Sequence, residues 1–136
     1  MIIRWLAAYL GAGFTMAALD AIWLAMANSR LYRPLLAPIL TDGFRPVPAM
    51  LFYLVYLVGV IIFAVTPALR RGRWTTATLM GALFGFFAYA TYDLTNQATL
   101  KVWATRLTLI DLGWGTCLTA AAATAGFLAA TSLRRR

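Results

Sequence analysis

Four long apolar stretches constrain this chain more than any other feature: they cover residues 5–27, 47–69, 74–94 and 107–130. Each exceeds the roughly 20 residues that a helix needs to cross a hydrocarbon core. Of the 136 residues, 62% are hydrophobic, whereas a soluble domain of this size needs more polar surface. The alternating pattern of a membrane barrel does not occur, so only helices can span the bilayer. The sequence therefore predicts an all-α integral membrane protein with four transmembrane helices in a single domain, residues 1–136.

The distribution of basic residues predicts the orientation of these helices. With the N-terminus inside the cell, seven of the 12 Lys and Arg residues lie on the cytoplasmic side and five on the outer side. The inner ones are dense, because three lie in the short link 70–73 and three at 134–136. Since cytoplasmic loops carry an excess of Lys and Arg, this pattern favours an N-in/C-in topology. The margin is small, so a dual topology stays open as an alternative.

The acidic residues indicate where function lies. Only four occur, and three of them lie inside or at the rim of the apolar stretches: Asp20, Asp93 and Asp111. A charged side chain at the centre of a membrane helix costs roughly 2.5–3.5 kcal/mol on insertion scales, so it faces the bundle interior, a cavity or a partner charge. The N-in topology brings all three to the outer half of the membrane. We therefore expect them to share one polar site.

Aromatic and polar neighbours extend this predicted site. Two Asp-x-x-Trp motifs place an indole one helical turn after Asp20 and after Asp111, on the same face of each helix. An indole N–H can donate to a carboxylate, and its ring can separate a pocket from lipid. The sequence around Asp93, residues 88–97, carries several hydroxyl and amide side chains. The residues predicted to bind a ligand or a proton are Asp20, Trp23, Tyr89, Tyr92, Asp93, Asn96, Asp111 and Trp114.

The outer link between the first two spans contains an apolar run, 31–40, with Pro34 and Pro38. It is too short to span the membrane, so we predict an interfacial or re-entrant, partly helical cover over the acids. Nearby cations would lower the cost of keeping the carboxylates charged. Structural ion pairs are therefore the alternative to a functional role for the acids. The candidate counter-ions are Arg33, Arg45, Lys101 and Arg106.

Small residues recur every four positions in three of the spans, which is typical of close helix packing. In the third span they precede Tyr89 and Asp93. The second span instead carries aromatic residues, which predict an aromatic wall. The predicted ridges are Gly13, Ala17, Ala21 and Ala25 in the first span, Ala77, Gly81 and Gly85 in the third, and Gly113, Cys117, Ala121, Ala125 and Ala129 in the fourth; the wall is Phe52, Tyr53, Tyr56 and Phe63.

Three segments carry a resemblance to a known family: Ala-Tyr-Ala-Thr-Tyr-Asp-Leu-Thr-Asn at 88–96, Asp-Leu-Gly-Trp-Gly at 111–115, and the early Asp-x-x-Trp. They resemble a bacterial family of small four-span predicted membrane proteins, classed only as a domain of unknown function. The likeness covers nearly the whole chain. It implies a multi-pass protein of the bacterial cytoplasmic (inner) membrane and implies no activity.

The composition makes several chemistries and partners unlikely. The chain has no His and no Glu, and it has a single Cys, so a His-ligated metal site, a histidine base and an internal disulfide are excluded. We expect no metal and no cofactor. The net charge of +8 fits anionic lipid headgroups better than nucleic acid. The expected partners are membrane lipids, with a second copy of the chain or another membrane protein as alternatives.

Three functional hypotheses follow from these residues. The first is an outward-facing Asp and aromatic pocket that binds or carries a proton, a cation or an amphipathic lipid-like small molecule. The second is an accessory or scaffold subunit that docks through the small-residue ridges. A remote third is an intramembrane enzyme that uses Asp93 and Asp111 as a carboxylate pair, although the sequence does not favour enzymatic activity.

Overall fold

The computed structural model describes residues 2–133, and almost all of them are helical. The basic residues 134–136, on which the predicted orientation partly rests, lie outside the described residues. The elements, in chain order, are α1 (Ile2–Ala27), a first π turn (Asn28–Tyr32), α2 (Arg33–Leu36), a 3-10 turn (Ala37–Ile39), α3 (Pro46–Val60), a second π turn (Ile61–Val65), α4 (Thr66–Arg71), α5 (Trp74–Thr99) and α6 (Thr105–Ser132).

The helices confirm the predicted class of an all-α membrane protein. Within the described range, three helical stretches are long and apolar enough to cross a membrane: Ile2–Ile39, Pro46–Arg71 and Thr105–Ser132. The fourth helix, α5, has 26 residues but carries a more polar outer end. Large apolar side chains cover the outer faces of the helices, as a lipid environment requires; Phe14, for example, is 79% exposed. Three to four helices therefore have the properties of membrane spans.

The first helix continues beyond its predicted end. Residues 31–40, predicted as a partly helical cover, extend α1 through the first π turn, α2 and the 3-10 turn. Pro34 follows this π turn, and Pro67 follows the second one. Proline has no N–H, and its ring clashes with the carbonyl four residues earlier. A widened turn accommodates this misfit, so the helix continues instead of breaking.

The third predicted span also ends later than expected. We predicted that it ends at residue 94, which would place Asp93 at a helix C-terminus, but α5 continues to Thr99. The hydroxyl of Thr95 donates to the carbonyl of Thr91 at 2.5 Å, and that of Thr99 donates to the carbonyl of Thr95 at 2.8 Å. The Leu100 N–H then bonds to the Asn96 carbonyl at 2.8 Å. Asp93 therefore lies inside the helix.

The central element is α6, which packs along both α5 and α1. The segment formed by α3, the second π turn and α4 covers α5 and contacts α1 and α6. Two hydroxyl pairs join the helices: Tyr56 with Thr119 at 2.8 Å, and Thr78 with Thr124 at 2.7 Å. The fold thus brings one face of each of α1, α5 and α6 into a common interior.

Close packing confirms the predicted ridge of α5. Gly81 and Gly85 are both buried against α6. A Cβ atom added at Gly81 would lie 2.7 Å from the Ala123 Cβ, and one added at Gly85 would overlap the carbonyl oxygen of Gly115. The backbones of α5 and α6 therefore approach as closely as glycine allows.

The predicted ridge of α1 is mostly wrong and that of α6 only partly right, since Ala125 and Ala129 pack against Gly11 of α1. In α1 the ridge 13–25 lies mostly outside the core, and in α6 Gly113 and Cys117 are exposed. Both helices carry small residues on several faces, so their spacing alone does not select the buried one. The buried faces are Ala8, Ala12, Met16 and Asp20 in α1, and Asp111, Gly115, Thr119 and Ala123 in α6.

The aromatic wall predicted for the second span is present. Phe52 contacts Tyr53 and Tyr56, with ring centroids 5.2 Å apart in both pairs. Phe84 of α5 continues the cluster, 5.2 Å from Tyr56 and 5.7 Å from Phe63. This wall packs on α5 through Phe84 and forms one side of a cavity described below.

Candidate functional site

Asp20 lies on the buried face of α1 and is 7% exposed. Two neutral groups from other helices bind its carboxylate. The Tyr53 hydroxyl of α3 donates to Oδ2, and the Trp114 indole Nε1 of α6 donates to Oδ1 at 3.2 Å. Asp20 thus joins three helices through a single carboxylate.

Asp111 has its partner on the helical extension of α1. The Tyr32 hydroxyl, in the first π turn, donates to the Asp111 Oδ1 at 2.6 Å and accepts a hydrogen bond from the Trp23 indole Nε1 at 2.9 Å. The two Asp-x-x-Trp motifs are therefore cross-paired. The Trp114 indole bonds directly to Asp20, and the Trp23 indole is linked to Asp111 through Tyr32. The rings of Trp23 and Trp114 stack with centroids 4.5 Å apart.

These groups border one cavity of about 230 Å³, which we call the acidic cavity. Six of the eight predicted site residues line it, and they come from α1, α5 and α6. Its lining is Asp20, Trp23, Leu24, Tyr32, Leu36, Tyr89, Tyr92, Trp103, Asp111 and Trp114.

Asp93, the third acid, lies behind the lining of this cavity. Its side chain is fully buried, and neither carboxylate oxygen has a hydrogen-bond partner within the described residues. On the same helix, Tyr89 packs on Gly115, and Gln97 bonds to Thr105 and Thr108. This antiparallel register places Asp93 opposite the turn of α6 that carries Asp111.

Asn96, the remaining predicted site residue, is half-buried and does not line the acidic cavity. Its carbonyl accepts the Leu100 N–H at the end of α5. Asn96 therefore lies outside the lining of the acidic cavity.

The predicted counter-ions lie apart from the carboxylates. Arg33, Arg45, Lys101 and Arg106 are all exposed. Within residues 2–133, the hydrogen bonds to Asp20 and Asp111 come from tyrosine and tryptophan side chains, and none comes from Arg or Lys. The carboxylates point inward between helices, whereas the cations extend from the outer segments. The acidic cavity thus contains two carboxyl groups whose hydrogen-bond partners are uncharged.

A second cavity adjoins the first. It has a volume of about 360 Å³ and is lined by Phe52, Tyr56, Ala88, Tyr89 and Tyr92. We call it the aromatic groove, because it lies between the aromatic wall of α3 and the outer half of α5. Tyr89 and Tyr92 border both cavities. An apolar groove and an acidic cavity therefore share a wall.

A family model described as "Predicted membrane protein (DUF2177)" matches residues 5–128 of this chain. The chain belongs to the DUF2177 family. The matched range contains every residue of the acidic cavity and of the aromatic groove. No curated protein and no solved structure matches the chain. Because the family description states no activity, the chemistry of the site carries the functional argument.

The described residues of this DUF2177 protein contain no cluster of side chains that could bind a metal ion. In the part of the chain that the structure describes, no three His, Cys, Asp or Glu side chains lie close enough to hold one ion. What the acidic cavity does offer is negative charge, hydrogen-bond acceptors and aromatic faces. This combination suits an organic cation or a proton better than an anion.

Sequence reasoning missed three members of this DUF2177 site: Tyr32, Tyr53 and Trp103. Tyr53 was predicted only as part of the aromatic wall. Tyr32 is the single tyrosine in the predicted cover segment, and that isolation in an otherwise apolar run is the signal that could have found it. Trp103 lies in the short link before α6, where its indole Nε1 donates to the Thr108 hydroxyl at 3.0 Å.

Proposed function

We propose that this DUF2177 protein binds an amphipathic cation, with its positive head in the acidic cavity and its apolar part in the aromatic groove. The observation that carries the proposal is that Asp20 and Asp111 border one cavity and receive hydrogen bonds from neutral groups only. Two unit charges 4 Å apart attract each other by about 4 kcal/mol at an effective dielectric constant of 20. A cation in the cavity would therefore be strongly favoured.

The aromatic lining adds a second source of affinity for a cation. Trp23, Trp103 and Trp114 line the acidic cavity beside the two carboxylates. A cation over an aromatic face gains about 0.5–2 kcal/mol, and tryptophan is the best such partner. A quaternary ammonium group, which is large and weakly hydrated, fits this lining better than a small metal ion.

The shared wall of the two cavities supports an amphipathic ligand. Tyr89 and Tyr92 would contact the junction between the head and the chain of such a molecule. On the outer side of the groove, Phe52 is 43% exposed and Tyr92 58% exposed, so the groove opens toward lipid. A ligand dissolved in the membrane could therefore enter sideways.

The close packing in the inner half of the bundle supports a binding role over conduction of the ligand across the membrane. Gly81, Ala122 and Ala123 are buried there, and α5 and α6 are in close contact. The proposed location is the cytoplasmic membrane of a bacterium, with both termini inside and the acidic cavity toward the outer face. The proposed partners are lipids or lipid-like cations of that membrane.

A substitution of the central carboxylate tests the proposal. Dodecyltrimethylammonium serves as the probe, and its binding to protein in dodecyl maltoside micelles is followed by tryptophan fluorescence, since three tryptophans line the cavity. We expect Asp20→Asn to weaken binding at least about tenfold, or about 1.4 kcal/mol. Asn keeps an acceptor for Trp114, so the fold should survive. The matched control is Asp42→Asn in the exposed outer link; equal affinity for both variants would refute the proposed site.

The role of the aromatic groove is tested by filling it. Ala88 lines the groove, whereas Ala98 is exposed on the same helix. Ala88→Phe should occupy the space meant for the apolar chain and lower the affinity for the probe several-fold, because overpacking costs about 1–3 kcal/mol. Ala98→Phe should leave the affinity unchanged. If both variants lost affinity, or neither did, the groove would not be the binding site of the apolar chain.

A further inference from the structure

Asp93 is the buried acid that the proposed cation site does not use. It is fully buried, its two oxygens lack hydrogen-bond partners in the described residues, and the register of α5 on α6 sets it opposite Asp111. A polar group buried without a partner costs several kcal/mol, and an ionised one costs much more. Two ionised carboxylates that face each other add their mutual repulsion. Ionisation of both carboxylates is therefore unfavourable, and a positive charge at this pair would remove that cost.

The groups that surround the pair provide no such charge. The titratable side chains that the packed elements carry near the two cavities are acidic or phenolic, and the nearest cations along the chain, Lys101 and Arg106, are exposed. A proton is the cation that fits a space without a metal cluster or a basic side chain. The titratable neighbours are Asp111 on α6, Asp20 on α1, Tyr32 on the first π turn, Tyr53 and Tyr56 on α3, and Tyr89 and Tyr92 on α5.

We propose that Asp93 and Asp111 together hold one proton and release it when a cation enters the acidic cavity. This inference rests on the proposed function, because it describes what cation binding does to the same site. One positive charge enters and one leaves. The O–H bond of the carboxylic acid breaks, the electron pair stays on the carboxylate oxygen, and the proton passes to water. The protein thus exchanges a proton for an amphipathic cation.

Polar groups lie one turn beyond Asp93, toward the end of α5, without a hydrogen bond to its carboxylate. The Thr108 hydroxyl, in the same register position of α6, donates to the Gln97 Oε1 at 2.7 Å. The Gln97 amide then donates to the Thr105 hydroxyl at 2.8 Å, and Thr105 is exposed. These groups form a polar cluster between the end of α5 and the beginning of α6, near the level of the pair.

The exchange predicts proton release that can be counted. Dodecyltrimethylammonium carries no exchangeable proton, so any proton released on binding comes from the protein. In weakly buffered micelles with a pH indicator, we expect about one proton per bound cation at a pH where the pair is protonated. The affinity should then fall about tenfold for each pH unit of acidification. The uncharged analogue dodecanol should release none.

Two substitutions test whether the released proton comes from Asp93 and Asp111. Asp93→Asn should still bind the cation, because Asp20 and Asp111 remain, but it should release almost no proton, and its affinity should no longer depend on pH. Asp111→Asn, the second variant, should likewise lose proton release and should also bind more weakly. Release that persists in both variants would overturn the assignment.

The wild-type protein alone separates the two proposals. Cation binding without proton release at any pH between about 5 and 9 would overturn the exchange and leave the proposed cation site intact. The absence of any saturable binding would overturn the proposed function and the exchange with it. Binding with about one proton released per cation supports both.

Discussion

Gly115→Ala should destabilise the protein by about 1–3 kcal/mol, the range for overpacking a tight interior, and it should be the most disruptive single methyl group in α6. A Cβ atom at Gly115 would overlap the ring of Tyr89, which borders both cavities. The ring cannot remain in place, so the contact between α5 and α6 and the wall shared by the cavities must both change. Binding of the ammonium probe should weaken together with stability.

Gly113→Ala is the matched control, two residues away on the same helix. A Cβ atom there meets no atom within 4 Å. Alanine is favoured over glycine in a helix by about 0.5–1 kcal/mol, so this variant should be neutral or slightly more stable. Reversible unfolding in mixed micelles measures both variants. Equal destabilisation by the two substitutions would contradict the close approach of α5 and α6 at Gly115.

Tyr32→Phe should release the helical extension of α1 from the acidic cavity. The substitution removes the one hydroxyl that bonds to both Trp23 and Asp111. Each buried group left without a partner costs about 1–3 kcal/mol. The extension 28–39 also packs through Leu31 and Leu36 against Leu107, so the loss shifts the opening equilibrium without unfolding the protein. We therefore expect the segment to open.

Cysteine accessibility measures this opening. Leu36 is 6% exposed, so Leu36→Cys in a Cys117→Ala background should react slowly with a water-soluble maleimide. Tyr32→Phe should increase that rate at least about tenfold, which corresponds to about 1.4 kcal/mol in the opening equilibrium. Tyr9→Phe, which removes a hydroxyl bonded to the Leu54 carbonyl far from the extension, is the control. An unchanged rate in Tyr32→Phe would mean that Tyr32 does not hold the segment.

The buried faces of the helices show what the sequence could and could not predict. The glycine ridge of α5 was predictable, because only one face of that helix carries glycines four residues apart. For α1, and for Gly113 and Cys117 of α6, the small residues pointed to the wrong faces, whereas Ala125 and Ala129 do pack against α1. The positions of the acids would have predicted the buried faces correctly. Counting back four residues at a time from Asp20 gives Met16, Ala12 and Ala8, and all three are buried. Exposing a carboxylate to lipid costs more than misplacing an alanine, so the carboxylate determines how the helix is rotated.

The candidate site was predictable in composition but not in connectivity. The two Asp-x-x-Trp motifs supplied four residues of the acidic cavity, and the polar run around Asp93 supplied Tyr89 and Tyr92. The crossed pairing, in which Trp114 binds Asp20 and Tyr32 links Trp23 to Asp111, depends on the relative rotation of two helices and on a π turn. Neither property is encoded in the spacing within a single helix. The expectation of Arg or Lys partners rested on proximity along the chain, whereas the described partners are aromatic.

A crystal structure with bound 12-bromododecyltrimethylammonium tests the central claim most directly, because the ammonium group and the bromine atom mark the two ends of the ligand. The account predicts the ammonium beside the carboxylates of Asp20 and Asp111, within about 6 Å of a tryptophan ring centroid. The anomalous signal of bromine should lie in the aromatic groove, near Phe52 and Ala88. An ammonium group bound away from both carboxylates, with the acidic cavity free of ligand, would contradict it.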